Sequence, residues 1–218
     1  MIVSKRLKDS SEPPVYHTGE GGATPTQPLH FSNCTLSTVS AFIKQHHYSH
    51  THPGGIDFPF GCWLGEQLVG ALVYGHIAGN PASAIVTANN KPMNYRELMR
   101  LVLLDWVPRN SESRFIGWTL RYLRANTDLI GVVSFADPKY GHTGIVYRAS
   151  NWKYLGLQKP CRPRLFVNGV DVHPKSCYNR WGTSSVPKLR ALGLDVVEGF
   201  REPKHKYAFS LRKEWPLL

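Results

Sequence analysis

Three stretches of this 218-residue chain gather side chains able to do chemistry. The first is His46-His47-Tyr48-Ser49-His50, followed by Thr51-His52-Pro53-Gly54-Gly55. Imidazoles titrate near neutrality, so this cluster suits proton transfer or metal ligation. At the end of a helix the same rings would also complement the helix dipole. The second stretch is Pro108-Arg109-Asn110-Ser111-Glu112-Ser113-Arg114, leading into Phe115-Ile116-Gly117-Trp118-Thr119. A helix capped at Asn110 or Ser111 presents first-turn amides beside two arginines and two serines. That is either a cradle for phosphate or an ordinary capped surface helix. The third is Ser134-Phe135-Ala136-Asp137-Pro138. Asp137 ends an apolar run, where open α/β sheets place ligands, although Asp-Pro also marks plain turns. Arg100 joins these groups as a charge inside the apolar run from Leu98 to Val107, either at an edge or aimed at an anion.

The elements that must position these groups follow from periodicity. Leu36, Val39, Phe42 and Ile43 predict a helix over Thr35–His47 that delivers the His-Tyr cluster at its end. Phe60–Leu64 and Leu68–His76 predict a hairpin turning at Gly65-Glu66, followed by a loop from Gly79 to Asn94. Leu98–Val107 predicts a strand in which Leu98, Arg100 and Val102 share a face. A helix through Leu123, a strand over Leu129–Phe135 and a helix over Gly141–Trp152 complete a β-loop-α-β-α unit between Arg96 and Gly156. Residues 1 to 30, broken by Pro13-Pro14 and Gly21-Gly22, read as a poorly ordered lead-in with an edge strand at Ile2-Val3 as an option. Residues 31–160 read as the core and 161–218 as a basic appendage whose closing strands complete the sheet. In that appendage Arg162–Val167 and Val170–Val172 predict a hairpin turning at Asn168-Gly169. Pro174–Trp181 and Ser184–Leu192 predict a helical pair, and Asp195–Phe200 and Tyr207–Leu211 predict strands joined through a basic turn at Lys204-His205-Lys206.

Twenty-six Lys and Arg against fifteen Asp and Glu give a net charge of +11, a field that attracts polyanions. Lys139, His142, Lys175, Arg180, Lys188, Arg190, Lys204 and Lys206 are the expected contacts to double-stranded DNA, against the plainer reading of surface lysines. Four widely spaced cysteines without a C-x-x-C pattern read as reduced thiols, not a zinc ribbon or a disulfide framework. No long apolar run could span a bilayer and no signal peptide is visible, so a cytoplasmic protein is expected.

Arg114-x-x-Gly117-x-Thr119 resembles the R/Q-x-x-G-x-G/A loop of the GNAT superfamily of N-acetyltransferases, with Thr119 in the third position. Tyr147-Arg148-Ala149-Ser150-Asn151-Trp152 resembles that superfamily's Y-x-x-x-G-F. A closer resemblance, over roughly Phe31 to Leu211, is to the phage Mom family of DNA-modifying proteins, a divergent GNAT branch. It rests on His46–His50, Arg96-Glu97-Leu98-Met99-Arg100-Leu101, Ser111–Trp118, Ser134–Pro138 and Gly141-His142-Thr143-Gly144.

The resemblance implies an α/β fold with a GNAT-like mixed central sheet flanked by helices. It implies an enzyme that converts adenine in DNA to its N6-carbamoylmethyl form and so shields phage DNA from restriction. An activated two-carbon donor is implied, either acyl-CoA (acetyl-CoA) or an aminoacyl carrier, held by Arg100, Ser111, Ser113, Arg114, Gly117 and Thr119. His47, Tyr48, Asp137 and Tyr147 become the catalytic candidates, with Tyr147 serving the leaving group. An iron ion (Fe2+) on His47, Tyr48 and Asp137 is also implied. The oligomeric state stays open, a homodimer among the options. Two rivals remain: a non-catalytic DNA-binding protein on the same scaffold, and an acyltransferase acting on a protein or small amine. Convergence of Arg100, Ser113 and Asp137 on one cleft would separate catalysis from mere binding.

Overall fold

The computed structural model describes residues 28–51, 53–77, 94–158, 164–200 and 202–213. The expected lead-in up to residue 27, His52, residues 79–93 of the expected loop, Cys161, and the beginning of the strand expected from Arg162 lie outside them. The chain divides into two units, one of residues up to 156 together with those from 205 onward, the other of residues 157–204.

In the first unit the elements run β1 (Leu29–Asn33), α1 (Leu36–His46), β2 (Ile56–Leu64), β3 (Gln67–Gly75), β4 (Tyr95–Leu103), α2 (Ser111–Asn126) and β5 (Gly131–Ala136). A 3-10 turn (Pro138–Tyr140), α3 (Ile145–Ala149), β6 (Lys153–Gln158) and, after the second unit, β10 (Lys204–Ser210) complete it. The seven strands form one mixed sheet in the order β1-β2-β3-β4-β5-β10-β6. This is the α/β architecture expected, a mixed central sheet flanked by helices. α1 buries Val39, Phe42 and Ile43, the spacing that made it legible. α2 buries Phe115, Ile116, Thr119, Leu120 and Leu123. β4 and β5 run parallel, and parallel neighbours require a crossover, here α2.

The Gly141–Trp152 helix contracts to five residues, Ile145–Ala149, behind a loop. Gly144 explains the shortening. Its φ is +78°, and a Cβ there would meet the Tyr207 ring at 2.2 Å, so the chain must turn at a glycine before α3 can start. Lys204, His205 and Lys206 are not a turn but the start of β10, where His205 pairs with Ala136 and Lys206 with Phe135.

The second unit contains β7 (Arg164–Val167), β8 (Val170–Val172), α4 (Pro174–Trp181), α5 (Val186–Ala191) and β9 (Val196–Gly199). Its own three-stranded sheet, ordered β8-β7-β9, backs a small core of Leu165, Val167, Cys177, Leu189 and Val196.

Candidate active site

The parallel pair at the sheet's centre is hydrogen-bonded only at its start. Register runs from Tyr95↔Gly131 to Glu97↔Val133 and stops. Beyond it the Ser134 hydroxyl donates to the Leu98 carbonyl (3.1 Å), a side chain standing in for a ladder bond. The strands' C-terminal ends are thus released from each other, and the chemistry-bearing residues lie there. On β4, register steps from Val73↔Arg100 to Tyr74↔Leu98, leaving Met99 as an extra residue. This bulge interrupts the alternation that would have put Leu98, Arg100 and Val102 on one face. Leu98 is fully buried, whereas Arg100 is half-buried. Arg100 Nη1 donates to the Met99 carbonyl at 2.7 Å and Nε to the Thr51 carbonyl at 3.4 Å.

Asp137 follows β5 and is 6% exposed. One carboxylate oxygen accepts the Lys139 amide (3.2 Å), and its carbonyl accepts the amides of Tyr140 (3.1 Å) and His142 (3.3 Å). The 3-10 turn therefore wraps around the aspartate. It brings Tyr140 and His142 against Tyr48, with ring centroids 4.3 and 5.6 Å away. Tyr48 also packs on His47 at 4.2 Å. His47 ends α1, its amide donating to the Ile43 carbonyl at 3.0 Å.

Burial sets the protonation states. Desolvation, reinforced by the positive charge of Arg100, pushes the His47 imidazole down to about 3, so it is neutral at pH 7. Desolvation raises the Tyr48 phenol, Arg100 opposing and Asp137 and Tyr140 reinforcing. Burial lowers Arg100, while Tyr48 and Glu97 support its charge. These couplings bring His47, Tyr48, Arg100 and Asp137 into one electrostatic neighbourhood.

The donor cradle is only partly as expected. α2 starts at Asn110 in the left-handed region (φ 66°) with no side-chain cap. Ser111 is fully buried, its hydroxyl donating to the Pro108 carbonyl at 2.6 Å. Ser113 donates to the Asn110 carbonyl at 2.9 Å. Both hydroxyls therefore brace their own loop, and Ser113 is not seen to join Arg100 and Asp137. Thr119 is fully buried, donates to the Ile116 carbonyl (2.8 Å) and lies 2.9 Å from the Tyr74 hydroxyl. It belongs to the core, not to a ligand surface. Arg114 is exposed, and Gly117 is half-buried with room for a Cβ. The groups left facing outward are the uncapped helix start and Arg114.

Tyr147 departs most from expectation. It is fully buried, its hydroxyl lies 2.7 Å from Ser134 Oγ, and its ring packs on Trp152 and Tyr207. Burial pushes the phenol well above its usual value, against the Ser134 bond. That places the phenol within the core, with Tyr74, Tyr48 and Glu97 among the groups that act on its charge.

Among the expected DNA contacts, Lys139 is exposed over the Tyr140 ring (5.4 Å) and His142 is half-buried beside Tyr48. Arg180 covers the Trp181 ring at 4.9 Å, and Lys188 is exposed. Arg190 donates twice to the Val196 carbonyl, at 3.2 and 2.7 Å, and so ties α5 to β9. Lys204 and Lys206 are half-buried in β10, where burial lowers the Lys206 ammonium. The Lys175 side chain lies outside the described residues.

Sequence reasoning missed Tyr140, Ser134 and Glu97, the last 4% exposed. Glu97 had a signal, an acid in an otherwise apolar strand. Tyr140 and Ser134 had none beyond their nearness to Asp137.

The model of the Mom protein family matches residues 28–217. The chain belongs to the Mom family. The methylcarbamoylase mom of Escherichia phage Mu is 36% identical over 125 residues, which are 57% of this chain and 51% of that protein. The match thus spans about half the length of the curated relative. Among solved structures, the ribosomal-protein alanine N-acetyltransferase of Escherichia coli is 7% identical and covers 84% of this chain and 94% of its own, at a TM-score of 0.49. An N-acetyltransferase from Staphylococcus aureus is 10% identical, covering 84% and 98%, at 0.47. At TM-scores below 0.5 these likenesses add nothing to what the sheet itself establishes. No helix among the described residues is long and apolar enough to cross a membrane.

The iron expected from the family resemblance can be tested on the donor set. The Ser49 amide donates to His47 Nδ1 at 3.1 Å, which leaves the neutral ring's proton on Nε2 and no lone pair there for a metal. The Tyr48 phenol is held protonated. Among the described residues no group of three or more His, Cys, Asp or Glu is placed to hold an ion. The residues as arranged do not fit iron.

Proposed function

We propose that this Mom-family protein transfers a two-carbon unit to adenine N6 in double-stranded DNA, leaving N6-carbamoylmethyladenine and so protecting phage DNA from restriction. The observation that carries this reading is the meeting of His47, Tyr48, Arg100 and Asp137, walled by Tyr140 and His142, where β4 and β5 part.

The N6 lone pair is delocalised into the purine ring, and N6 lies inside the duplex, so the base must be turned out before it can react. Tyr140, 39% exposed and packed against Tyr48, offers it an aromatic wall. Asp137 takes the N6 proton as N6 bonds to the donor carbon and that carbon's bond to its carrier breaks, the carrier departing with the electron pair. Arg100, with the uncapped start of α2 and Arg114, holds the anionic part of the donor, an aminoacyl carrier whose two-carbon unit already bears the nitrogen that the carbamoylmethyl group contains and an acetyl group lacks. Lys139 and the basic second unit grip DNA phosphates.

Mass spectrometry of nucleosides from plasmid DNA recovered after expression of this chain tests acceptor and product together. Deoxyadenosine bearing one carbamoylmethyl group is expected. Unmodified deoxyadenosine from cells holding folded protein would overturn the reading.

A further inference from the structure

Among the described residues, His47 Nε2 and the Tyr48 hydroxyl are buried without a hydrogen-bond partner. They belong to adjacent residues whose rings stand 4.2 Å apart. An orphaned buried polar group costs about 1–3 kcal/mol, so two of them side by side call for a ligand atom.

The direction of the His47 group follows from the turn after α1. The His50 amide donates to the His47 carbonyl at 2.8 Å, and that turn folds the Ser49 amide onto His47 Nδ1 at 3.1 Å. Ser49 Oγ lies 2.8 Å from the same nitrogen, nearer than the Thr51 carbonyl at 3.3 Å, so its single proton also turns to Nδ1. A backbone N–H can only donate, so Nδ1 accepts and the single proton of the neutral ring sits on Nε2. His47 thus presents an N–H, and the Tyr48 phenol an O–H. Arg100 adds positive potential at both residues.

Two donors in a positive, water-poor corner suit an oxygen that is negative or becomes so. The carbamoylmethyl group contains one carbonyl oxygen, and so does any donor that delivers it. We propose that His47 Nε2–H and the Tyr48 hydroxyl bind and polarise the carbonyl oxygen of the two-carbon unit while N6 bonds to the donor carbon, Asp137 takes the N6 proton and the carrier leaves with the electrons of the broken bond, and that His47 is neither a general base nor a metal ligand. The inference rests on the DNA-modification reading and assigns the oxygen-binding role within it. A neutral imidazole can polarise a carbonyl through its N–H, and a buried ring does so without taking up a charge that burial opposes.

The test has two arms on the full-length chain. In protein labelled with nitrogen-15 histidine, the neutral, Nε2-protonated tautomer is expected for His47 at pH 7. An Nδ1-protonated or doubly protonated ring would overturn the proposal, whatever the activity. In the second arm, nucleoside analysis compares His47→Gln, which keeps an amide N–H near Nε2, with His47→Ala and Tyr48→Phe. His47→Gln should stay within about tenfold of the parent, while His47→Ala and Tyr48→Phe each fall about 100-fold. Folded His47→Gln protein as inactive as His47→Ala would assign the ring to proton transfer or metal binding and sink the proposal. If the parent itself modifies no adenine, the functional reading fails, and the tautomer measurement still decides how His47 is protonated.

Discussion

The polar groups of this protein fall in two contrasting settings. At the parted ends of β4 and β5, His47 and Asp137 are nearly or fully buried and Arg100 and Tyr48 half-buried. In the second unit Arg180 and Lys188 are exposed. In the first setting desolvation holds His47 neutral and Tyr48 protonated. In the second, charges stay solvated, act nearly independently and are screened by salt. The difference separates chemistry from grip: substitutions in the buried cluster should change turnover, and substitutions among the exposed cations should change DNA affinity alone.

The sharpest way to break this division is Asp137→Asn. The amide is nearly isosteric and keeps an oxygen for the Lys139 amide, but it cannot take the N6 proton. Modification should fall about 10²- to 10⁴-fold, the usual reach of general acid–base catalysis, with DNA binding unchanged in a gel-shift titration. Full activity would remove Asp137 from the mechanism. Arg100→Lys is the next step down. It keeps the charge but loses the planar fork that spans the Met99 and Thr51 carbonyls. The KM for the acyl donor should rise about tenfold or more, with the DNA affinity again unmoved.

The buried cluster was the more legible in the sequence, because its residues sit in unusual company. A His-His-Tyr run closing a helix, an arginine in an apolar strand and an Asp-Pro ending another each point to the sheet's C-terminal edge. What the sequence could not reveal was which hydroxyls face a ligand. Ser111, Ser113 and Thr119 looked like donor contacts, yet each spends its proton on a nearby backbone carbonyl, a choice made by loop geometry and burial. Tyr147 carried a motif but faces the core. The bulge at Met99 has no signature in a run of leucines and valines. In the basic segment Lys204-His205-Lys206 reads as a turn between strands, while pairing with β5 makes it part of a strand.

His47 offers a pH test of the buried setting. Its folded-state imidazole is pushed down to about 3, while an unfolded one titrates near 6.5. Between those values the unfolded chain binds a proton that the folded chain refuses. Stability is therefore complete above about pH 6.5 and is lost as pH falls towards 3. Urea midpoints measured across that range should decline, and His47→Gln should flatten the decline. An equal slope in both proteins would mean that the ring is not held neutral by burial.

The smallest expected effect tests the exposed setting. Arg180→Ala and Lys188→Ala each remove one exposed cation of the second unit. Their cost should appear as electrostatics only, spread evenly over DNA sequences. The slope of log affinity against log salt should shrink by about one for each phosphate no longer neutralised, and the double variant should sum the two. Turnover at saturating DNA should match the parent's. A drop in turnover there would mean that the grip helps to turn the adenine out, and the division between chemistry and binding would have to be redrawn through the second unit.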